Sequence, residues 1–100
     1  MHRMLYYFRS MKTFTYQYQG ETFQSAVEYY MEGRDHRYRV QLGESFSVIV
    51  PSGFPGPNHS IVWVQSHKGN ETVLDHELVQ AIGEGVERSG MPIQKVSSAF

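Results

Sequence analysis

The chain contains no cysteine, which excludes a disulfide framework and a thiolate zinc site and removes the usual sign of redox compartment. Charge of one sign is lacking as well: nine Lys and Arg against ten Asp and Glu leave a net charge near −1. A protein that tracks nucleic-acid phosphates draws its affinity from a surplus of Lys and Arg, so this balance argues against that class. No apolar run approaches the roughly 18 residues of a membrane-spanning helix. The sequence also has no phosphate loop of the G-x-x-x-x-G-K-[ST] or G-x-G-x-x-G kind, no G-x-S-x-G elbow, and no pair of histidines at metal-ligand spacing. With 40% hydrophobic and 19% charged residues, the composition is that of a folded domain and not of a disordered tail.

What is present in excess is aromatic: seven Tyr, six Phe and one Trp. A chain of this size buries one core and is too short for two good ones, so residues 11–90 are expected to form a single domain, followed by a tail over 91–100. Met11, Lys12 and Thr13 stand directly before the first regular alternation, which makes 1–10 a leader or flexible extension. The other reading gives Leu5, Tyr6, Tyr7 and Phe8 to a short edge strand or partner-binding arm. These four are too few for the apolar stretch of a secretory signal, and the expected location is cytoplasmic.

The alternations are those of strands. Phe14, Tyr16 and Tyr18 point one way and Thr13, Thr15, Gln17 and Gln19 the other. A two-residue turn at Gly20-Glu21 sets Tyr18 opposite Phe23 and Phe14 opposite Val27, which favours a strand over 23–29. The same residues also show a helical spacing at Phe23, Val27, Tyr30 and Met31. A second hairpin runs from Arg37 to Pro51. Placing Tyr38, Val40 and Leu42 on one face with Phe46, Val48 and Val50 requires a three-residue loop or a bulge near Gly43 to Ser45. Three prolines and two glycines between Pro51 and Asn58 break any regular ladder. Ser60 to Gln65 is nearly continuous in apolar residues and reads as a central strand covered on both faces.

Thr72 with Asp75 predicts a capped helix ending at Gly90 and Pro92. Leu74, Leu78, Val79, Ala81, Ile82, Gly85 and Val86 share one arc of it. Gly83 and Gly85 each cost about 1 kcal/mol relative to alanine, and close approach of Gly85 to Trp63 is the expected compensation. The fold class is therefore α+β: a mainly antiparallel five-stranded sheet of two hairpins and one further strand, with a C-terminal helix on one face.

Five histidines invite a metal reading, but Asp75, His76 and Glu77 diverge around a helix and no ligand set emerges. No metal, cofactor or catalytic residue is expected. Ser52, Ser60 and His59 flank the proline loop without the framework of an activated nucleophile. Arg34, Arg37 and Arg39 cluster with His36, and alternation turns the arginines outward while Tyr38 faces inward. The rings outnumber what one helix can cover, so some are expected to line a groove or an oligomer contact. The candidate ligand- or partner-binding residues are Tyr38, Phe54, His59, Trp63, Arg37 and Arg39. The function that follows is a non-catalytic binding or protein-interaction module, forming a homodimer and using an aromatic sheet surface with the Pro/Gly loop. Its partner is a protein or small molecule whose identity the sequence leaves open. The alternatives are a small enzyme with a polar site from His36, His59, His67 and Glu77, and, third, an RNA-binding sheet.

Overall fold

The structure, a computed structural model, describes residues 10–56, 60–66, 73–91 and 93, with the backbone alone at 10 and 53–55. Five strands, β1 (Ser10–Tyr18), β2 (Glu21–Glu32), β3 (Asp35–Leu42), β4 (Ser45–Pro55) and β5 (Ile61–Ser66), precede one helix, α1 (His76–Arg88). The strands form an antiparallel meander in the order β1-β2-β3-β4-β5, curled into a half-barrel against which the helix packs. The α+β class and the five-stranded antiparallel sheet agree with the sequence.

Three two-residue loops set the registers. At Gln19-Gly20 both residues have positive φ, 53° and 81°, the requirement of a type I′ turn, whose twist matches that of the strands it joins. This corrects the expected turn at Gly20-Glu21 by one residue. Tyr18 faces Glu21, Phe14 faces Ser25, and Tyr16 faces Phe23, with ring centroids 5.4 Å apart in a stacked arrangement. The strand reading of residues 23–29 holds. At Gly33-Arg34 and Gly43-Glu44 the positive φ falls on the first residue, 67° and 63°, as in a type II′ loop.

The Gly43-Glu44 loop overturns the bulge expected there. Leu42 pairs with Ser45, Val40 with Ser47 and Tyr38 with Ile49. Ser47 and Ile49 thus face the core, and Phe46, Val48 and Val50 turn to the opposite side. Apolar parity misleads because β4 is apolar on both faces. The inward place at Ser47 suits a small polar group, whose hydroxyl oxygen accepts a 3.0 Å hydrogen bond from Gln65 Nε2. The irregularity lies instead between Pro51 and Pro55, where β4 continues beside β5. There the prolines bend the ladder rather than end the strand.

The core lies between the concave side of the sheet and α1. Phe14 and Tyr16 from β1, Val27 and Tyr29 from β2, Tyr38 and Val40 from β3, Ile49 from β4 and Trp63 from β5 meet Val79, Ile82 and Val86 of the helix. Leu74, Leu78 and Ala81 pack at its margin, so the apolar arc read from the sequence is the buried one. Met91 also joins the core, and Ile93 packs against it.

The helix begins at His76, with Asp75 at its N-cap making no side-chain capping bond. Thr72 lies outside the described residues. The Asp75 carboxylate instead accepts a 2.9 Å hydrogen bond from the Tyr18 hydroxyl, tying the helix start to the end of β1.

Trp63 does not lie on Gly85. A Cβ at Gly83 would sit 2.1 Å from Trp63 Cγ, whereas one at Gly85 would sit 2.5 Å from the Thr15 carbonyl oxygen and 2.9 Å from the Phe14 ring. Successive helix residues turn by about 100°, so residues two apart look in different directions. Here Gly83 looks toward β5 and Gly85 toward β1. Each glycine lets the helix axis approach one edge of the curled sheet.

Both Gly83→Ala and Gly85→Ala are expected to destabilise the fold by about 1–3 kcal/mol through overpacking, although alanine favours helix by about 1 kcal/mol. Gly83→Ala should be the worse, since its Cβ would lie 2.1–2.4 Å from three ring atoms of Trp63, and that indole is fully buried and hydrogen bonded to Glu87. Urea unfolding of the two variants checks this, and a gain in stability for either contradicts the packing described.

Candidate functional site

The sequence-derived candidates divide between the two faces of the sheet. Tyr38 and Trp63 are fully buried on the concave side, with centroids 5.2 Å apart and an interplanar angle of 82°, a favourable edge-to-face geometry. They fill the core instead of lining a surface. Arg37 and Arg39 alternate with Tyr38 along β3 and point to the convex side. The side chain of Phe54 and all of His59 lie outside the described residues, as does His67.

The concave face also carries a ring ladder. His36 stacks on Tyr29 with centroids 5.5 Å apart, Tyr29 meets Tyr38 at 5.3 Å, and Tyr38 meets Trp63. The Tyr29 hydroxyl and His36 Nδ1 are hydrogen bonded at 2.6 Å, which occupies the histidine that the polar-site reading relied on. Glu77, its helical member, is exposed in the first turn of α1. Among the described residues no group of three or more His, Asp or Glu side chains is placed to hold a metal ion.

On the convex face, alternation sets Ala26 and Tyr30 of β2, Arg37 and Arg39 of β3, Phe46, Val48 and Val50 of β4, and Val62 and Val64 of β5 side by side. Phe46 is 47% exposed, and the valines are half-buried. The Arg39 guanidinium carbon stands 4.1 Å from the Phe46 ring centroid, a cation–π contact worth about 0.5–1 kcal/mol at an exposed site. Arg37 is more enclosed, its side chain only 16% exposed. It donates from Nη1 to Ser66 Oγ at 2.8 Å and lies near the carboxylates of Glu32 at 3.5 Å and Asp35 at 3.4 Å. The three arginines read as a basic cluster thus have distinct environments: Arg37 is braced within the sheet, Arg39 covers an aromatic ring, and Arg34 is exposed in the loop after β2.

The two sheet edges complete the picture. β5 is an edge strand, which corrects the central position expected of it; its continuous apolar character reflects Trp63 beneath the helix and valines on the convex face. Its free edge is closed by Gln80 of α1, whose Oε1 accepts from the Trp63 backbone N–H at 2.9 Å and whose Nε2 donates to the Ile61 carbonyl at 2.8 Å. One side-chain amide thereby takes the place of a neighbouring peptide group. The indole Nε1 of Trp63 donates to Glu87 at 2.7 Å. These contacts blunt an edge that would otherwise recruit another strand. The sequence pattern does not reveal them, because Gln80 and Glu87 lie outside the apolar arc of the helix.

No protein family, curated protein or solved structure matches the chain. Among the described residues no helix is long and apolar enough to cross a membrane.

The Tyr18 hydroxyl has a raised pKa, chiefly because its proton is held by the Asp75 carboxylate, then through partial loss of water and the nearby charges of Asp75 and Glu77. A raised pKa in the folded state means that this bond stabilises the fold fully below the ordinary tyrosine value near 10 and is lost as pH rises through the higher folded value. Ultraviolet titration should place the Tyr18 phenol above the ordinary range, as the step that Tyr18→Phe deletes. A titration unchanged by the substitution contradicts the assignment.

Proposed function

We propose that the chain is a non-catalytic binding or protein-interaction module that forms a homodimer through the convex face of its sheet. The observation that carries this reading is the apolar stripe of β4 and β5: Phe46, Val48, Val50, Val62 and Val64 lie together on a face over which no described element packs. Scattered surface apolar residues need no explanation, whereas a contiguous patch marks a contact surface. The shape suits a second sheet, since two sheet faces pack about 10 Å apart with their side chains interleaved. A net charge near −1 offers little long-range repulsion between copies.

Both sheet edges are engaged by the helix, at Thr15 on β1 and at Ile61 and Trp63 on β5. Face-to-face packing is therefore favoured over a continuous intermolecular sheet. In an isologous dimer the β4–β5 stripe meets its own copy, while Arg39 stays near the rim and gives orientation more than affinity. The Tyr38 and Trp63 rings take no part except as the buried floor beneath this face.

Sedimentation velocity over a range of concentrations should show a monomer–dimer equilibrium. Phe46→Glu, at an exposed position, should weaken dimerisation at least about a hundredfold by replacing an apolar contact with a carboxylate that must give up its water, with circular dichroism unchanged. A wild-type chain that stays monomeric at every concentration, or a Phe46→Glu variant that dimerises equally well, contradicts the proposal.

A further inference from the structure

Among the described residues the other edge of the sheet is covered only in part. In a two-residue hairpin the residues flanking the loop form a hydrogen-bonded pair, and bonded and non-bonded pairs then alternate along the strands. With Tyr18 opposite Glu21, Tyr16, Phe14 and Lys12 direct their peptide groups toward β2, and Thr15, Thr13 and Met11 direct theirs to the free edge. The Thr15 carbonyl bears this out, since it is the nearest atom that a Cβ on Gly85 would meet, at 2.5 Å. The helix thus covers the edge at Thr15. Alongside this contact, and reaching as far as Thr13, an open notch of about 280 Å³ is lined by Thr13, Phe14 and Thr15 of β1, Gln24 of β2, and Gly85, Arg88 and Ser89.

Two cations stand beside this stretch. Arg88 lines the notch and is exposed. The Lys12 ammonium reaches to 3.6 Å from the Cβ position of Gly90, just past the helix C-terminus, where the carbonyl ends favour positive charge. We infer that the Met11–Thr13 edge of β1 is a docking site for an extended acidic peptide segment of another protein. The peptide adds as a strand, pairing its main chain with the outward N–H and C=O groups of Met11 and Thr13 and setting a carboxylate against Arg88. A second copy of this chain fits poorly here, because antiparallel pairing of β1 with itself brings the Lys12 and Arg88 of both copies together. This site is separate from the β4–β5 stripe and does not depend on self-association.

The test uses two short capped peptides of alternating threonine and valine, one with a central aspartate and one with lysine in its place, titrated into the full chain labelled with ¹⁵N. The aspartate peptide should shift the amide resonances of Met11, Thr13 and Arg88 and bind more tightly than the lysine peptide. Arg88→Glu should weaken the aspartate peptide at least about tenfold, the loss of one charge-assisted bond, and reverse the preference. Thr13→Pro removes an edge N–H that the sheet does not use and should abolish both. If that variant fails to fold, Arg88→Glu alone decides. Phe46→Glu should bind the aspartate peptide as wild type does, whatever its effect on dimerisation. Equal response to the two peptides, shifts centred on Phe46 and Val48, or none at Met11 and Thr13, would overturn the inference. So would concentration-dependent protection of the Met11 and Thr13 amides in the protein alone, which assigns the edge to a second copy.

Discussion

The indole of Trp63 lies against the bare backbone of Gly83, and most of what the molecule presents to its surroundings depends on that contact. A side chain at Gly83 would occupy the space of the ring. Without one, the helix settles low enough over β5 for Gln80 to reach the Ile61 and Trp63 peptide groups and for Glu87 to accept from the indole nitrogen. Gly85 serves the same purpose at β1. The half-barrel has two open sides, and a single thirteen-residue helix spans them because two small residues, facing different ways, allow close approach to both. The helix propensity sacrificed at each glycine, about 1 kcal/mol, is offset by burial of rings that each contribute roughly 1.5–3 kcal/mol.

This arrangement decides which surfaces remain for partners. A small sheet with free edges recruits strands from other chains, including copies of itself. Here one edge is closed by a glutamine amide, and the other is covered at Thr15 while no described element packs on it near Met11 and Thr13, beside two cations. The concave face is filled by its own aromatic residues. What remains is the convex face, where β4 sets Phe46, Val48 and Val50 opposite the inward Ser47 and Ile49. Self-association by faces and peptide capture at an edge would then be two uses of one architecture, separated by the width of the sheet.

Much of this was legible in the residues. The alternation of Phe14, Tyr16 and Tyr18, the inward Tyr38 with outward arginines, and the apolar arc of Leu78, Val79, Ile82 and Val86 each carry one unambiguous period. The registers were less legible. At Gly20 the glycine marks a turn but not which of its neighbours shares it, and the left-handed backbone falls on Gln19. Phe46, Val48 and Val50 obey the strand period as well as Ser47 and Ile49 do, so parity could not tell which set faces the core. The choice was made by the two-residue Gly43-Glu44 loop, by the hydrogen bond that satisfies Ser47, and by the Arg39 guanidinium over Phe46. β5 reads as central because Ile61 to Val64 are all apolar; in the structure the helix, not a sixth strand, covers Trp63. Of the candidate site, Arg37 and Arg39 reach the convex face, whereas Tyr38 and Trp63 draw attention by size and aromaticity, the properties that place them in the core.

The seating of the helix on Trp63 is measured most directly by proton NMR at Gly83. With the glycine against the indole face, its Hα resonances are expected to be displaced strongly upfield by the ring current and to show cross-relaxation with the Trp63 ring protons. Gly83 Hα resonances at the positions of an exposed glycine, without such cross-relaxation, would show that the helix does not close the sheet and would contradict the account.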